Sequence, residues 1–150
     1  MKKILMILLL TIATILPTYA TNWVKVGQKV YMDIDTIEPF IDDYGHVVPN
    51  QYLFWRKTLN DGNFKALEKT LNKKIGYSLS KCVVDINRKS WATKFFVIYD
   101  LKDKPITQEE YNSALMDWQS IIPNTVGDLE LYTVKKFIND KSLEEQENSR

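Results

Sequence analysis

The sequence predicts an α+β domain: an antiparallel β-sheet of about five or six strands, with C-terminal helices packed on one face. Three observations carry this. Residues 75–86 and 89–100 are β-rich runs joined at Asn87-Arg88, which makes an antiparallel hairpin the natural connection. Turn residues recur at Gly27, at Tyr44-Gly45-His46 and at Asn60-Asp61-Gly62-Asn63. Beyond Thr107 the apolar spacing changes from period two to the helical period.

The first 20 residues stand apart from this domain. Lys2 and Lys3 form a positive start, an apolar run over residues 4–16 follows, and Thr18-Tyr19-Ala20 ends it with small side chains after Pro17. That run is about the length of a signal-peptide core and short of the roughly 20 residues that span a bilayer. Residues 1–20 therefore read as a cleavable signal peptide, residues 21–140 as the working domain, and residues 141–150 as a disordered polar tail. No Cys lies beside the cleavage point to carry a lipid anchor. Cleavage removes two of the 20 Lys and Arg, leaving 18 against 19 Asp and Glu, a net charge of −1. A near-neutral exported chain offers nucleic acid no general attraction.

Each element follows from its pattern. Val24 and Val26, then Val30, Met32 and Ile34, make two short strands around Gly27, the second ending at Asp35. Residues 36–43 read as a connection, because Pro39 lacks a ladder donor. In the strand over residues 47–58, Leu53 and Trp55 share one face while Tyr52, Phe54 and Arg56 share the other. Phe64, Leu67 and Leu71 fit a short amphipathic helix. Ile75, Tyr77 and Leu79 lie on one face of the next strand, and Cys82, Val84 and Ile86 on the other. In the following run, Trp91, Thr93, Phe95, Val97 and Tyr99 alternate against Ala92, Lys94, Phe96 and Ile98. Thr107-x-x-Glu110 reads as a capping box opening a helix with Tyr111, Ala114, Leu115 and Trp118 on its stripe, and Pro123 stops it. Thr125-x-x-Asp128 opens a second helix, with Leu131, Val134 and Ile138 on one face. Trp55, Trp91 and Trp118 are expected to carry much of the core. Cys82 has no partner in the chain, so it is either a buried strand residue or a link between two copies.

Candidate chemistry is thin. His46 is the single histidine and lies in a turn beside Asp42 and Asp43. Asp33 and Asp35 share a strand side, yet an Asp at a strand end more commonly caps the following turn. A hydrolase would need Asp33, Asp35 and His46 in one pocket. The five glycines form no phosphate-binding motif, and no cofactor or metal is implied. The basic residues Lys73, Lys74, Lys81, Arg88, Lys89 and Lys94, with Lys65 and Lys69, lie in a stretch holding only the acids Glu68 and Asp85. Such a stretch suits a polyanion or an acidic protein surface, and equally an ordinary solubilising surface.

Five landmarks, in order, carry a resemblance. They are the Trp23-Val24 start, the segment Tyr31-Met32-Asp33-Ile34-Asp35-Thr36-Ile37, the Trp55 strand, the segment from Val83 to Lys89, and Trp118-x-x-Ile121-x-Pro123-Asn124-Thr125-Val126-Gly127. Together they resemble the surface-adhesin protein E family over nearly all of the mature chain. The resemblance implies a small antiparallel sheet packed by helix, exported by Gram-negative bacteria. It also implies adhesion to host matrix or plasma proteins, in association with the outer membrane. Relatives carry a Cys after the Asp of the central motif and another near the last helix end; here Ile86 follows Asp85 and no Cys follows position 82. The reading is thus an exported, non-enzymatic binding protein with a protein or polyanionic ligand, at the periplasm or cell surface. The alternative is a periplasmic envelope module acting on bacterial partners as an inhibitor or stress factor. A homodimer stays open.

Overall fold

The computed structural model describes residues 22–149, so the leader expected over residues 1–20 lies outside the described residues. Strands β1 (Trp23–Gly27), β2 (Val30–Ile41) and β3 (Val47–Leu59) come first. Helix α1 (Lys65–Leu71) leads into β4 (Ile75–Asp85), β5 (Ser90–Asp100) and β6 (Pro105–Glu110). A 3-10 turn (Ser113–Leu115), the short strand β7 (Gln119–Ser120) and helix α2 (Val126–Asn148) complete the chain. The sheet is an antiparallel meander in the order β1-β2-β3-β4-β5-β6, with β7 pairing β5 off that path. The α+β class holds, with one C-terminal helix in place of the expected helices.

α2 closes one face. Leu131 and Val134 are buried against Val26, Val30 and Met32 of β1 and β2, and against Phe54, Cys82 and Val84 of β3 and β4; Ile138 packs at the margin. This is the stripe the sequence predicts. The close approach depends on Gly27, where an added Cβ would lie 2.6 Å from Val126 Cγ2. The helix continues through residues 141–148, which composition assigns to a disordered tail, as an exposed extension beyond the core.

On the other face a second, smaller core gathers Phe40, Val83, Ala92 and Met116, with Leu53, Tyr111 and Trp118 packed around it. Its cover is the segment 111–118. The predicted capping-box helix is absent there: Thr107 and Glu110 belong to β6, which pairs with β5 from Phe95↔Glu110 to Tyr99↔Pro105. The open edge of β5 supplies backbone partners along that whole stretch, and ladder pairing outweighs a local helix signal. Asn112 Oδ1 then accepts from Ala114 N–H at 2.9 Å, holding a single 3-10 turn, and leaves Leu115 exposed.

Two further expectations fail at register breaks. β2 does not end at Asp35. Its pairing with β3 lapses between Asp33 and Glu38 and then resumes to Ile41 through Pro39. Thr36 repairs the gap, its Oγ1 donating to the Asp33 carbonyl at 2.7 Å and accepting from Trp55 N–H at 3.0 Å. In β5 the uniform alternation is split by a bulge: Cys82 pairs with Thr93 while Lys81 pairs with Phe95, leaving Lys94 as the extra residue. Trp91 and Thr93 therefore join Cys82 and Val84 on the α2 face, whereas Phe95, Val97 and Tyr99 turn to the opposite face.

The tryptophans are not the core. Trp55, Trp91 and Trp118 are all half-buried, and the largest fully buried side chains include Phe54, Met32 and Ile75. Cys82 is 1% exposed, a free buried thiol as the strand reading expects, and burial pushes it up to about 12. Between sheet and α2 lies a charged pair that the sequence reading missed. Glu130 is 2% exposed, with Oε1 3.4 Å from Arg56 Nε, and among the described residues neither atom has a hydrogen-bond partner. The Arg56 guanidinium also lies 5.2 Å from the Trp91 ring centroid.

Candidate binding surface

The acids and the histidine do not converge. Asp33 is buried and its Oδ1 accepts from Asp35 N–H at 3.2 Å, which is the capping role; Asp35 itself is exposed. His46 sits in the exposed β2–β3 turn, Nδ1 3.5 Å from Asp42 Oδ2, and Asp42 Oδ1 accepts from the Tyr44 and His46 backbones. Those backbone donors, His46 first, hold the Asp42 carboxyl below its usual range. Among the described residues no group of His, Cys, Asp and Glu is arranged to hold a metal ion.

The basic stretch is divided four ways. Lys73 and Lys74 lie in the α1–β4 turn and, with Lys65, Lys69, Asn72 and Glu68, line a concavity of about 520 Å³. Glu68 is already engaged: it accepts from Ile75 N–H at 2.9 Å and from Asn60, and Lys74 Nζ stands 3.5 Å away, so its carboxyl is held low. Arg88 and Lys89 lie beyond the other end of β4, roughly 35 Å away along a strand of that length. There Asp85 folds the turn, its Oδ1 accepting from the Asn87 and Arg88 backbones. Lys94 is a structural lock rather than a free cation. Its Nζ donates to Asp43 Oδ1 at 2.7 Å and to the Tyr111 carbonyl at 2.6 Å, with its side chain only 13% exposed. Thus the six predicted cations form no common patch.

Lys81 alone lies on a different kind of surface. On the face opposite α2, β3 presents Trp55, Lys57 and Leu59; β4 presents Tyr77, Leu79 and Lys81; and β5 presents Phe95, Val97 and Tyr99. The register aligns them in rows across the sheet: Lys25, Tyr31, Lys57, Leu79 and Val97 in one, Trp55, Lys81 and Phe95 in the next. α2 packs on the other side, and segment 111–118 covers the Leu53–Val83–Ala92 end, so these side chains of β3, β4 and β5 stay half-exposed except Val97, which is buried.

The rings and ammonium groups hold one another. Lys57 Nζ lies 4.4 Å from the Tyr77 centroid, and Lys81 Nζ lies 5.3 Å from that of Trp55. Tyr77 and Tyr99 stack at 4.8 Å, while Trp55 meets Phe95 edge-on at 5.9 Å. Each lysine thus rests over an electron-rich ring while it remains reachable from solvent. Period-two alternation was the available signal, since Trp55/Lys57 and Leu79/Lys81 stand two apart. What the sequence withheld is the register that brings Lys25, Lys57 and Lys81 onto one face.

No protein-family model matches this chain, and no curated protein does. Among solved structures, the chain is similar to Haemophilus influenzae protein E. For one structure the identity is 11% and the TM-score 0.48, over 75% of this chain and 82% of that one. A second crystal form gives 12% and 0.46 over 71% and 79%, and protein E from a non-typeable strain gives 14% and 0.42 over 73% and 72%.

Proposed function

We propose that this chain is a non-enzymatic binding protein that works outside the cytoplasm and engages its partner with the open face of its sheet. The carrying observation is the lattice of Tyr31, Trp55, Tyr77, Phe95 and Tyr99 interleaved with Lys25, Lys57 and Lys81 on the face that α2 leaves free. Aromatic side chains supply contact area and are enriched at binding surfaces, and the lysines beside them add charge that orients a partner. The separation of Asp33, Asp35 and His46 supports binding over hydrolysis. The export reading rests on the leader pattern over residues 1–20. Among the described residues, no helix is long and apolar enough to cross a membrane. The sequence resemblance to the adhesin E family extends the proposal to adhesion to host matrix or plasma proteins from a Gram-negative cell surface.

Two measurements test it together. Protease shaving of intact cells is expected to remove the protein; complete protection would place it behind the outer membrane and favour the periplasmic alternative. Purified residues 21–150 are expected to bind wells coated with matrix or plasma protein. The variant Trp55→Ser with Tyr99→Ser is expected to lose that binding while still unfolding cooperatively, at a cost of about 2 kcal/mol. Unchanged binding in this variant overturns the assignment of the open face.

A further inference from the structure

Resting on that reading of the open face, we propose that its ligand is an acidic polysaccharide, a sugar polymer bearing carboxylate or sulfate groups, lying across β1 to β5. The first ground is charge. Lys25, Lys57 and Lys81 point from the β1–β4 part of this face, where Asp33 is buried and capped; the exposed acids, Glu110 beside Phe95 and 3.7 Å from Lys94 and Asp103 against Tyr77, lie towards its β5–β6 margin. The β1–β4 part of the face therefore carries an excess of cations although the mature chain does not.

The second ground is spacing. Lys25 and Lys57 stand in one row with Tyr31 between them, two strand spacings or about 10 Å apart. Lys57 and Lys81 are diagonal neighbours on β3 and β4, about 7–8 Å apart. Cations thus recur at near-regular steps with rings in the gaps. An acidic polysaccharide has the complementary order: charged substituents at intervals along a chain of rings whose C–H faces pack on aromatic side chains.

The third ground is shape. Concavities among the described residues lie at the α1–β4 turn, beside residues 100–102, beside Trp91 and Asp117, and between β1 and α2 at Tyr132 and Phe137. A protein partner gains most from anchors seated in pockets, and none of these four concavities is lined by the open-face rows. An extended polymer needs none. The lysines are also pre-positioned over Tyr77 and Trp55, which lowers the ordering cost of binding.

The test uses purified residues 21–150 and four probes: heparin, polygalacturonate, neutral dextran and poly-glutamate. Heparin and polygalacturonate are expected to bind with an affinity that falls as salt rises, and dextran is expected not to bind. Lys57→Gln with Lys81→Gln is expected to weaken both by roughly tenfold and to flatten the salt dependence, the scale of losing two exposed ionic contacts. Trp55→Leu is expected to weaken them while leaving the salt dependence intact. Lys73→Gln with Lys74→Gln, at the far turn, is expected to change neither. Equal or tighter binding of poly-glutamate on the same residues would overturn the polysaccharide in favour of an acidic protein partner. Heparin binding that follows Lys73 and Lys74 instead would overturn the site. Loss of matrix-protein binding in the Trp55 and Tyr99 double variant, without polysaccharide binding by the wild type, would sink this inference and leave the open-face reading standing.

Discussion

Replacing Arg56 with Met tests the account of how α2 is held to the sheet. Glu130 is 2% exposed and Arg56 Nε, 3.4 Å from its carboxylate, is its cation. Burial raises the Glu130 carboxyl above the usual 4.5, and the Arg56 charge opposes that rise. Because the group is raised, the native state keeps a proton that the unfolded chain has already released. Stability is therefore fully present below about 4.5 and is lost as pH rises through the folded value. Arg56→Met widens this window. The pH-dependent part of its cost cannot exceed that of protonating the acid: about 1.36 kcal/mol per unit above 4.5, or about 3.4 kcal/mol at pH 7. The lost contact with Trp91 adds a part that does not vary with pH. Urea unfolding at about pH 5 and about pH 7.5 reads both parts. A cost that grows across this range in Arg56→Met and stays flat when Glu130→Gln is added is the expected result. An equal cost at both pH values would refute the role of the Glu130 charge.

Three other outcomes follow from the packing. The Cys82 thiol is expected to resist a bulky disulfide reagent until the protein is denatured, and Cys82→Ala is expected to cost about 1–2 kcal/mol; rapid native labelling or a reducible dimer contradicts its burial. Gly27→Ala is expected to cost about 1–3 kcal/mol through its clash with Val126, and Val126→Ala is expected to recover part of it in a double-mutant cycle. Phe54→Ala is expected to cost about 3–5 kcal/mol by chemical denaturation, against about 1 kcal/mol for the half-exposed Trp55→Ala; the reverse order would contradict the assignment of sheet faces.

Much of the sheet is legible in the sequence because its central strands obey period two and its turns announce themselves. The hairpin at Asn87-Arg88, the faces of β3 and the stripe of Leu131 and Val134 all fall where pattern puts them. The misreadings share a cause: a tertiary partner overrode a local signal. Thr107 and Glu110 satisfy a helix rule, yet the open edge of β5 offers them a ladder. Pro39 ends a regular strand, but in β2 it sits beside a register shift between Pro39 and Ile41, where a missing ladder donor is tolerated. The Lys94 bulge turns Phe95, Val97 and Tyr99 to the open face, and no spacing rule encodes that one extra residue. The candidate site was the least legible part. Linear clustering joined Lys73, Lys74, Arg88 and Lys89, which an 11-residue strand holds apart, and only register joins Lys81 to Lys57 and Lys25.

A partner on the open face of the sheet is read residue by residue by amine-acylation footprinting with heparin as probe. Lys57 and Lys81 are expected to lose reactivity on binding, while Lys73, Lys74 and Lys89 stay as reactive as in the free protein. Protection confined to Lys73, Lys74 or Lys89, with Lys57 and Lys81 unchanged, would contradict that placement.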